Sequence, residues 1–346
     1  MNILDDVQKI KDIDKSNMKS MLDGFDRQSL SAWNIKLPDM DKKEFDSICL
    51  CGMGGSAVGG DIIKQVAEGT STIIYVNRDY TLPRFVNEKS LVIPVSYSGD
   101  TEETISCYND AKSKKASIWS ISSGGMLEEL SRKDGVPHVK VEKGFPPRCA
   151  LGYLFFPVLK LFIELGIIKK FEIDKTFLSI KKYIEEYRVE NEKGNKAKEF
   201  ADRLWNKNPV VYSGPFLFPV AIRWKTQFAE NSKNVAFINV FSELNHNEIM
   251  SWNFPEFLVH NTIFFFLHDE SDHPRIKQRM ALTEKILKDK NLEVINVSSC
   301  GEHPVERIFS LLVLEDWLSF YLAILNNMDP TEIKEITYLK KELAKT

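Results

Sequence analysis

Two glycine- and hydroxyl-rich stretches decide the fold of this chain: GMGGS at residues 52–56 and SYSGDT at residues 96–101. Each follows a short apolar run typical of a buried strand, Ile48–Cys51 and Leu91–Val95, and each leads into a segment with helical spacing. Glycine lets backbone N–H groups approach an anion, hydroxyls add donors, and a helix N-terminus adds a favourable dipole. The two loops together predict a pocket for the phosphate of a small polar molecule.

Strands and helices alternate along the first half of the chain and again along the second half. The predicted strands are Ile48–Cys51, Thr72–Val76, Leu91–Val95, Ala116–Ile121, His138–Val141, Val210–Ser213, Val235–Asn239, Thr262–Leu267 and Glu293–Val297. The predicted helices are Thr101–Ser113, Gly125–Ser131, Leu151–Leu165, Pro219–Ser232, Pro274–Lys288, Pro304–Asn326 and Thr331–Lys345. Alternation with apolar strands predicts an α/β fold of mainly parallel sheets flanked by helices.

The length of 346 residues favours two domains over one core. We place the first domain, with the phosphate loops, at residues 1–165 and the second at residues 195–346. Residues 166–194 are rich in Lys and Glu without a strand pattern, which predicts a helical connection. The element pattern repeats between the two domains, although the residues themselves do not. Ligand pockets in such folds form outside the carboxyl ends of the strands.

Composition narrows the classes of function. The chain is 43% hydrophobic and 27% charged, and its net charge of −3 argues against nucleic acid as the main partner. We find no apolar run long enough for a bilayer and no signal peptide, so no membrane partner is expected. Cys49 and Cys51 alternate within a strand and share one face, which indicates buried thiols in a reducing cytoplasm. The six histidines show no compact ligand pattern, and we predict no metal.

The first loop also fits a dinucleotide-binding fingerprint, Gly52-x-Gly54-x-x-Ala57. Such a site expects an acidic residue about 20 positions later, where the chain has Asn77-Arg78-Asp79, so a nicotinamide-dependent oxidoreductase stays open. The hydroxyl cluster in the second loop favours a phosphosugar, because phosphate offers three acceptor oxygens. Helix capping and turn formation are the alternative explanation of the same hydroxyls.

Longer motifs carry a resemblance to a known family. GMGGSAVGGD at 52–61 and SYSGDTEET at 96–104 resemble the sugar-isomerase (SIS) fold. The motifs PPRCALGY, RWKTQFAENSK, ELNHNE and DPTEIKEITYLKKEL narrow the resemblance to the bifunctional phosphoglucose/phosphomannose isomerases, in family order from residue 52 to residue 340. The resemblance implies isomerisation of glucose 6-phosphate, and of mannose 6-phosphate, with fructose 6-phosphate through a cis-enediol. It further implies no cofactor, and a homodimer whose active site takes its histidine from the neighbouring subunit.

The resemblance also implies roles for individual residues. The sugar phosphate would be held by Gly55, Ser56, Ser96, Ser98 and Thr101. The catalytic roles would fall to Arg148 over C1–C2, Glu230 as base, His246 in ring opening and Lys340 at the ring oxygen. Many relatives have Asn where this chain has Asp100, and a carboxylate beside a phosphate is unfavourable unless it points away, so Asp100 is left out of the site.

The chemistry of isomerisation fits these residue types. One carboxylate can move a proton between C2 and C1, and Glu230 lies near the end of a helix that we expect to point at the cleft. A fixed guanidinium stabilises an enediolate, and histidine titrates in the range that ring opening requires. Each residue taken alone is more often an ordinary surface group. A non-catalytic module that senses a phosphosugar therefore stays open, since it needs the loops but not Glu230, His246 or Lys340.

Overall fold

The computed structural model describes residues 3–40, 44–343 and 345, and it divides into two compact units. The first-sheet unit is Gly24–Leu178, and the second-sheet unit combines Met1–Asp23 with Ser179–Thr346. These boundaries differ from the predicted 1–165, 166–194 and 195–346. The N-terminal segment belongs to the second-sheet unit because its acidic and basic side chains pair there, for example Asp5 Oδ1 with Lys198 Nζ at 2.6 Å.

Helices cover both sheets. They are α1 Val7–Ile13, α2 Met18–Asp23, α3 Phe25–Asn34, α4 Gly54–Val66, α5 Glu102–Ser113, α6 Gly125–Asp134, α7 Leu151–Glu164, α8 Ile173–Tyr187, α9 Lys196–Leu204, α10 Phe218–Gln227, α11 Glu256–His260, α12 Pro274–Asp289, α13 Pro304–Leu325 and α14 Lys334–Leu343. The predicted helix Pro219–Ser232 differs at its end, because α10 stops at Gln227 and continues as a π turn, Phe228–Ser232. Residue 344, inside the predicted terminal helix, lies outside the described residues.

The first-sheet unit holds a parallel sheet in the order β2–β1–β3–β4. Its strands are β1 Ser47–Cys51, β2 Ile73–Asn77, β3 Ser90–Pro94 and β4 Ser117–Ile118, and a second parallel pair is formed by β5 Ser120–Ser122 and β6 His138–Lys140. Every residue of β1 and β3 is buried, as expected for central strands covered on both faces. The predicted strand Ala116–Ile121 is divided, since the chain passes from the first pairing to the second at Trp119.

The second-sheet unit repeats this topology. Its parallel strands are β7 Asn208–Ser213, β8 Phe237–Val240, β9 Thr262–His268 and β10 Glu293–Ser298, in the order β10–β9–β7–β8. Numbered within each unit, both four-stranded sheets follow the order 2-1-3-4. The prediction of an α/β fold with two mainly parallel sheets is confirmed.

The helix α13 forms the core of the second-sheet unit. It is 22 residues long and, by length and composition alone, apolar enough to cross a membrane, so the expectation that no such run exists is wrong. Inside the protein, 94% of its most apolar window is buried. Each fully buried Leu or Phe of this helix contributes about 1.5–3 kcal/mol to folding.

Candidate functional site

The first loop brings the ends of β1 and β3 together. A Cβ atom on Gly52 would lie 2.8 Å from the carbonyl oxygen of Val95, so only glycine allows this approach. α4 begins directly after Met53, whose side chain makes no cap hydrogen bond. The N-terminal turn of α4, which contains Gly55 and Ser56, therefore lies at the carboxyl edge of the sheet with its dipole directed outward.

Two hydroxyls of the second loop, those of Ser96 and Thr101, form a cluster. Ser96 Oγ and Thr101 Oγ1 are 2.8 Å apart, and Ser96 Oγ also accepts a hydrogen bond from Gly99 N at 3.0 Å. Ser98 is exposed, and its Oγ accepts from Asp100 N at 3.2 Å. Thr101 occupies the N-cap position of α5 without making a side-chain cap bond, so capping alone does not explain this hydroxyl.

The carboxylate of Asp100 is turned toward another helix. Its Oδ1 accepts a hydrogen bond from Met126 N at 2.8 Å, in the first turn of α6. Gly99 has a φ of +82°, and a Cβ atom there would collide with the carbonyl oxygen of Gly124. The backbone turn thus requires glycine and directs the Asp100 side chain at the N-terminus of α6, where a negative charge is favourable. Its omission from the phosphate site agrees with this geometry.

Arg148 lies beside the first loop within the same unit. It is 3% exposed and occupies the short 3₁₀ turn Pro147–Cys149. A Cβ atom on Gly55 would lie 3.4 Å from Pro147 O and 3.5 Å from the Arg148 Cα atom, so the two segments pack backbone to backbone. The structure therefore brings the predicted arginine to the N-terminus of α4. A buried cation at this place suits an anionic ligand.

The turn after β2, which would bind the ribose in a dinucleotide site, uses its polar groups for contacts within the protein. Asn77 Nδ2 donates to the carbonyl oxygens of Asp79 and Thr81, both at 3.1 Å. Asp79 Oδ1 accepts from Tyr80 N at 2.6 Å, and Arg78 forms an ion pair with Asp61. These contacts fold the turn on itself, which argues against the dinucleotide interpretation of the first loop.

The π turn Phe228–Ser232 carries Glu230, which is partly exposed. Lys233 closes the turn in the left-handed conformation with a φ of +60°. Its Nζ donates to Glu230 O at 2.7 Å and to Asp329 O at 3.0 Å, so it ties the turn to the segment before α14. Single π turns inside helices occur frequently at functional sites.

A buried polar network holds this turn against α13. Arg223 donates to Asp316 Oδ1 at 2.7 Å, and Gln227 Nε2 donates to the same oxygen at 2.6 Å. One turn further, Asn231 Nδ2 donates to Ser319 Oγ at 2.9 Å. All five residues are buried, so the network fixes the direction in which the chain leaves α10.

We expect Asp316→Ala to lower the free energy of unfolding by about 3–5 kcal/mol, because it removes the buried carboxylate that pairs with Arg223 and accepts the hydrogen bond of Gln227. Chemical denaturation followed by circular dichroism measures this change. Glu186→Ala is the matched control, since its ion pair with Lys182 is exposed and is worth less than about 1 kcal/mol. Equal destabilisation by the two variants would contradict the importance of the network.

His246 and Glu230 lie at opposite ends of β8. Glu230 precedes the strand, in the π turn that follows α10. His246 is exposed and follows the strand in the 3₁₀ turn Glu243–His246, which Asn245 Nδ2 anchors to Thr283 Oγ1 at 2.8 Å. The strand of four residues separates its two ends by roughly 10 Å. Within one chain, the two predicted residues therefore flank the strand β8.

Lys340 lies on the terminal helix α14. Within this helix the structure describes no buried residue. Its apolar side chains are also exposed, with Tyr338 at 68% and Leu339 at 57%. The structure therefore places Lys340 on an exposed amphipathic helix.

A third loop, ISSGG at residues 121–125, was missed at the level of the sequence. It begins within β5, and both the amide and the hydroxyl of Ser123 donate to Tyr97 O, at 2.9 Å and 2.7 Å. The adjacent Gly124 packs against Gly99. The loop thus supports the second phosphate loop. Its signal, glycines and hydroxyls between a strand and a helix, is the same as that of the two loops that were recognised.

The carboxyl edge of the second sheet differs from that of the first in the side chains of its loops. Gly214 follows β7 as Gly52 follows β1, but a Cβ atom on Gly214 would collide with the carboxylate of Asp272. Asp269, after β9, pairs with Arg307 at 3.0 Å. Two carboxylates, one of them paired with Arg307 and the other beside Gly214, therefore lie in the loop that follows β9.

Comparison with known proteins gives one consistent result. Residues 193–343 match the family model described as the bacterial phospho-glucose isomerase C-terminal SIS domain. A bifunctional phosphoglucose/phosphomannose isomerase of Caldicellulosiruptor bescii is 43% identical over 317 residues, which cover 90% of this chain and 92% of that protein. A protein of the same name from Aquifex aeolicus is 38% identical over 88% of this chain and 92% of its own length.

Solved structures agree at the level of the fold. A glucose-6-phosphate isomerase like protein from Thermus thermophilus superposes with a TM-score of 0.66 at 16% identity, covering 96% of this chain and 99% of that chain. Together with the family model, this likeness confirms the predicted SIS-type architecture.

Proposed function

This chain belongs to the family of bifunctional phosphoglucose/phosphomannose isomerases, and we propose that it interconverts glucose 6-phosphate and mannose 6-phosphate with fructose 6-phosphate. One observation carries the proposal beyond family membership. The hydroxyl cluster of Ser96 and Thr101, the N-terminus of α4 and the buried Arg148 lie in one unit, around Gly52 and Gly55. This set of donors suits the phosphate of a hexose 6-phosphate.

The reaction moves one proton between C2 and C1 through a cis-enediol. We assign the proton transfer to the Glu230 carboxylate and stabilisation of the enediolate oxygen to Arg148. Hexose 6-phosphates exist mostly as closed rings, so His246 is assigned to ring opening and Lys340 to the ring oxygen. Phosphate binding by Gly55, Ser56, Ser96, Ser98 and Thr101 holds the substrate in place.

The proposal is tested with purified protein and fructose 6-phosphate. We expect glucose 6-phosphate and mannose 6-phosphate as products, both before and after treatment with a chelator, since acid–base chemistry needs neither a metal nor nicotinamide. Products are separated and identified, and Glu230→Gln serves as the control. Activity that is lost with chelator and returns with zinc would contradict the proposed chemistry. If glucose 6-phosphate forms and mannose 6-phosphate does not, the proposed mannose activity is wrong and the proposed glucose isomerase activity stands.

The same assay distinguishes the alternatives. A phosphosugar-sensing module would bind fructose 6-phosphate without turnover. A nicotinamide-dependent oxidoreductase would change the absorbance of added NAD or NADP. The folded turn at Asn77–Thr81 disfavours the second alternative.

A homodimer with shared active sites is part of the proposal. It is supported by the positions of Glu230 and His246 at opposite ends of β8. Close to His246 in sequence, Met250, Phe254 and Phe257 are 75%, 78% and 74% exposed, and such an apolar surface is typical of a protein interface. In a dimer that covers this surface, the active site of each subunit would include His246 of the other subunit.

Mixing Glu230→Gln with His246→Ala is expected to restore activity that neither variant has alone. In a two-fold dimer each mixed pair contains one intact site, so random exchange restores about a quarter of the wild-type activity. Subunit exchange is verified by native mass spectrometry. Verified exchange without restored activity would contradict a shared site.

Ser98→Ala and Thr101→Val are expected to weaken binding more than turnover. Each removes roughly one hydrogen bond to a charged phosphate, worth about 1.5–3 kcal/mol. The measurement is KM for fructose 6-phosphate together with the inhibition constant of inorganic phosphate. Ser113→Ala, on the exposed end of α5, is the control. An unchanged KM in both loop variants would make these residues turn and cap formers only.

The proposed isomerase activity also suggests where in the cell the protein acts. We place the enzyme in the cytoplasm, where hexose 6-phosphates serve glycolysis and gluconeogenesis. All five cysteines are free thiols, as is usual in a reducing compartment. The net charge of −3 gives no support to nucleic acid as a partner, and we expect no membrane association.

A further inference from the structure

Tyr97 is the residue of the second phosphate loop with no role so far. It stands between Ser96 and Ser98, but its ring is buried, at 6% exposure, whereas Ser98 is exposed. The Ser123 bonds to its carbonyl oxygen fix the backbone at this position. The phenol therefore extends from a rigid point in the phosphate loop into the interior of the first-sheet unit.

The phenol hydroxyl makes two hydrogen bonds to one turn. It donates to Glu142 O at 2.8 Å and accepts from Phe145 N at 3.0 Å, and Gly144 inside that turn has a φ of +107°. A tyrosine hydroxyl has one donor and acceptor lone pairs, and here both functions are used on the backbone. Burial raises the pKa of Tyr97, so the hydroxyl keeps the proton that it donates.

The turn that Tyr97 holds leads directly to Arg148. Only Pro146 and Pro147 separate Phe145 from the arginine, and the proline rings fix φ at both positions. Cys149 N donates to Pro146 O at 2.8 Å, which closes the 3₁₀ turn around the arginine. A displacement of Phe145 is therefore transmitted to the Arg148 backbone.

The far side of the arginine is fixed independently. Gln28 Nε2 donates to Cys149 O at 2.8 Å, and its Oε1 accepts from Gly152 N at 3.0 Å. Gly55 packs against the Arg148 backbone from the first loop. With Gln28 and Gly55 on one side, the Tyr97 hydroxyl joins the turn before the arginine to the second phosphate loop.

We propose that Tyr97 is a positioning residue, which holds the segment Glu142–Phe145 so that Arg148 stands at a fixed place relative to the phosphate loop. The inference rests on the proposed function, since it assumes that Arg148 acts on the reacting carbons of a substrate whose phosphate lies in that loop. Phosphate binding itself uses the hydroxyls and amides of the loop, which the phenol does not touch. Loss of the phenol hydroxyl should therefore reduce turnover and spare phosphate affinity.

Tyr97→Phe tests the inference, because it removes one oxygen and keeps the ring. We expect kcat with fructose 6-phosphate to fall about 10- to 100-fold, as for a small misplacement of a catalytic group. KM and the inhibition constant of inorganic phosphate should stay near their wild-type values. Tyr108→Phe is the matched control, since its hydroxyl bonds Asp134 in the same unit at a distance from the arginine segment, and its kcat should not change.

Amide hydrogen exchange gives a second readout that does not depend on activity. The Phe145 amide should be protected in the wild type and exchange faster in Tyr97→Phe, with the protection of β1 and β3 unchanged. An unchanged kcat, or unchanged exchange at Phe145, would overturn the inference. So would a parallel loss of kcat and phosphate affinity, because that result indicates general damage to the loop. A wild-type protein without isomerase activity would instead refute the proposed function.

Discussion

Glu230→Gln is expected to abolish turnover of fructose 6-phosphate while binding of the sugar phosphate survives. The amide keeps the shape of the side chain and removes the base. Loss of a general base costs about 10²–10⁴-fold in kcat, and more where one group performs both proton transfers. The π turn should not change, because Lys233 holds it through the carbonyl oxygens of Glu230 and Asp329, which the substitution keeps.

The measurement is kcat and KM for fructose 6-phosphate, with the inhibition constant of inorganic phosphate as the test of binding. Glu199→Gln is the matched control, since Glu199 is an exposed glutamate on α9 whose ion pair with Arg203 is on the surface. Near-normal turnover in Glu230→Gln would show that another residue is the base.

Arg148→Gln is expected to lower kcat by about 10²–10³-fold, the usual effect of removing a fixed donor that stabilises negative charge in the transition state. Arg148 is buried and its backbone packs against Gly55 in the first turn of α4, so water replaces its guanidinium poorly. The phosphate loop keeps its own hydroxyls and amides, and the loss of kcat should exceed the rise in KM.

Because Arg148 is buried, the melting temperature is measured beside kcat to separate misfolding from lost chemistry. Arg78→Gln is the control: Arg78 is more exposed, pairs with Asp61 and lies where a dinucleotide would bind. An isomerase should keep its activity in this control. Equal losses in Arg148→Gln and Arg78→Gln would contradict the assigned role of Arg148.

Local patterns predicted most of the secondary structure. The run Ile48–Cys51 became β1 with one added residue, and the prediction for α12 ended one residue early. A strand that is buried on both faces appears in the sequence as a short apolar run, and proline is common in the first turn of a helix. Both signals lie within a few neighbouring residues, so these elements can be predicted locally. The break between β4 and β5 was not predicted, because it depends on which distant strand each half pairs with.

The loops proposed to bind phosphate were also predicted from local residues, whereas the contacts that support them were not. Glycines and hydroxyls between a strand and a helix are a pattern within ten residues. The contact between Gly55 and Arg148 joins positions 93 apart in the chain, and Tyr97 reaches a turn 48 residues away. The periodicity of the sequence gives no information about contacts between positions so far apart in the chain.

By itself, the sequence determined the α/β class, the doubled order of elements and the loops that suit a phosphate, and its motifs indicated the isomerase family. The tertiary structure alone decided the direction of Asp100, the membership of residues 3–23 in the second-sheet unit and the packing of Gly55 against the Arg148 backbone. The physical reason is the range of the interactions. Strand, helix and turn preferences act between neighbours, whereas packing and hydrogen bonding between distant segments arise only when the chain has folded.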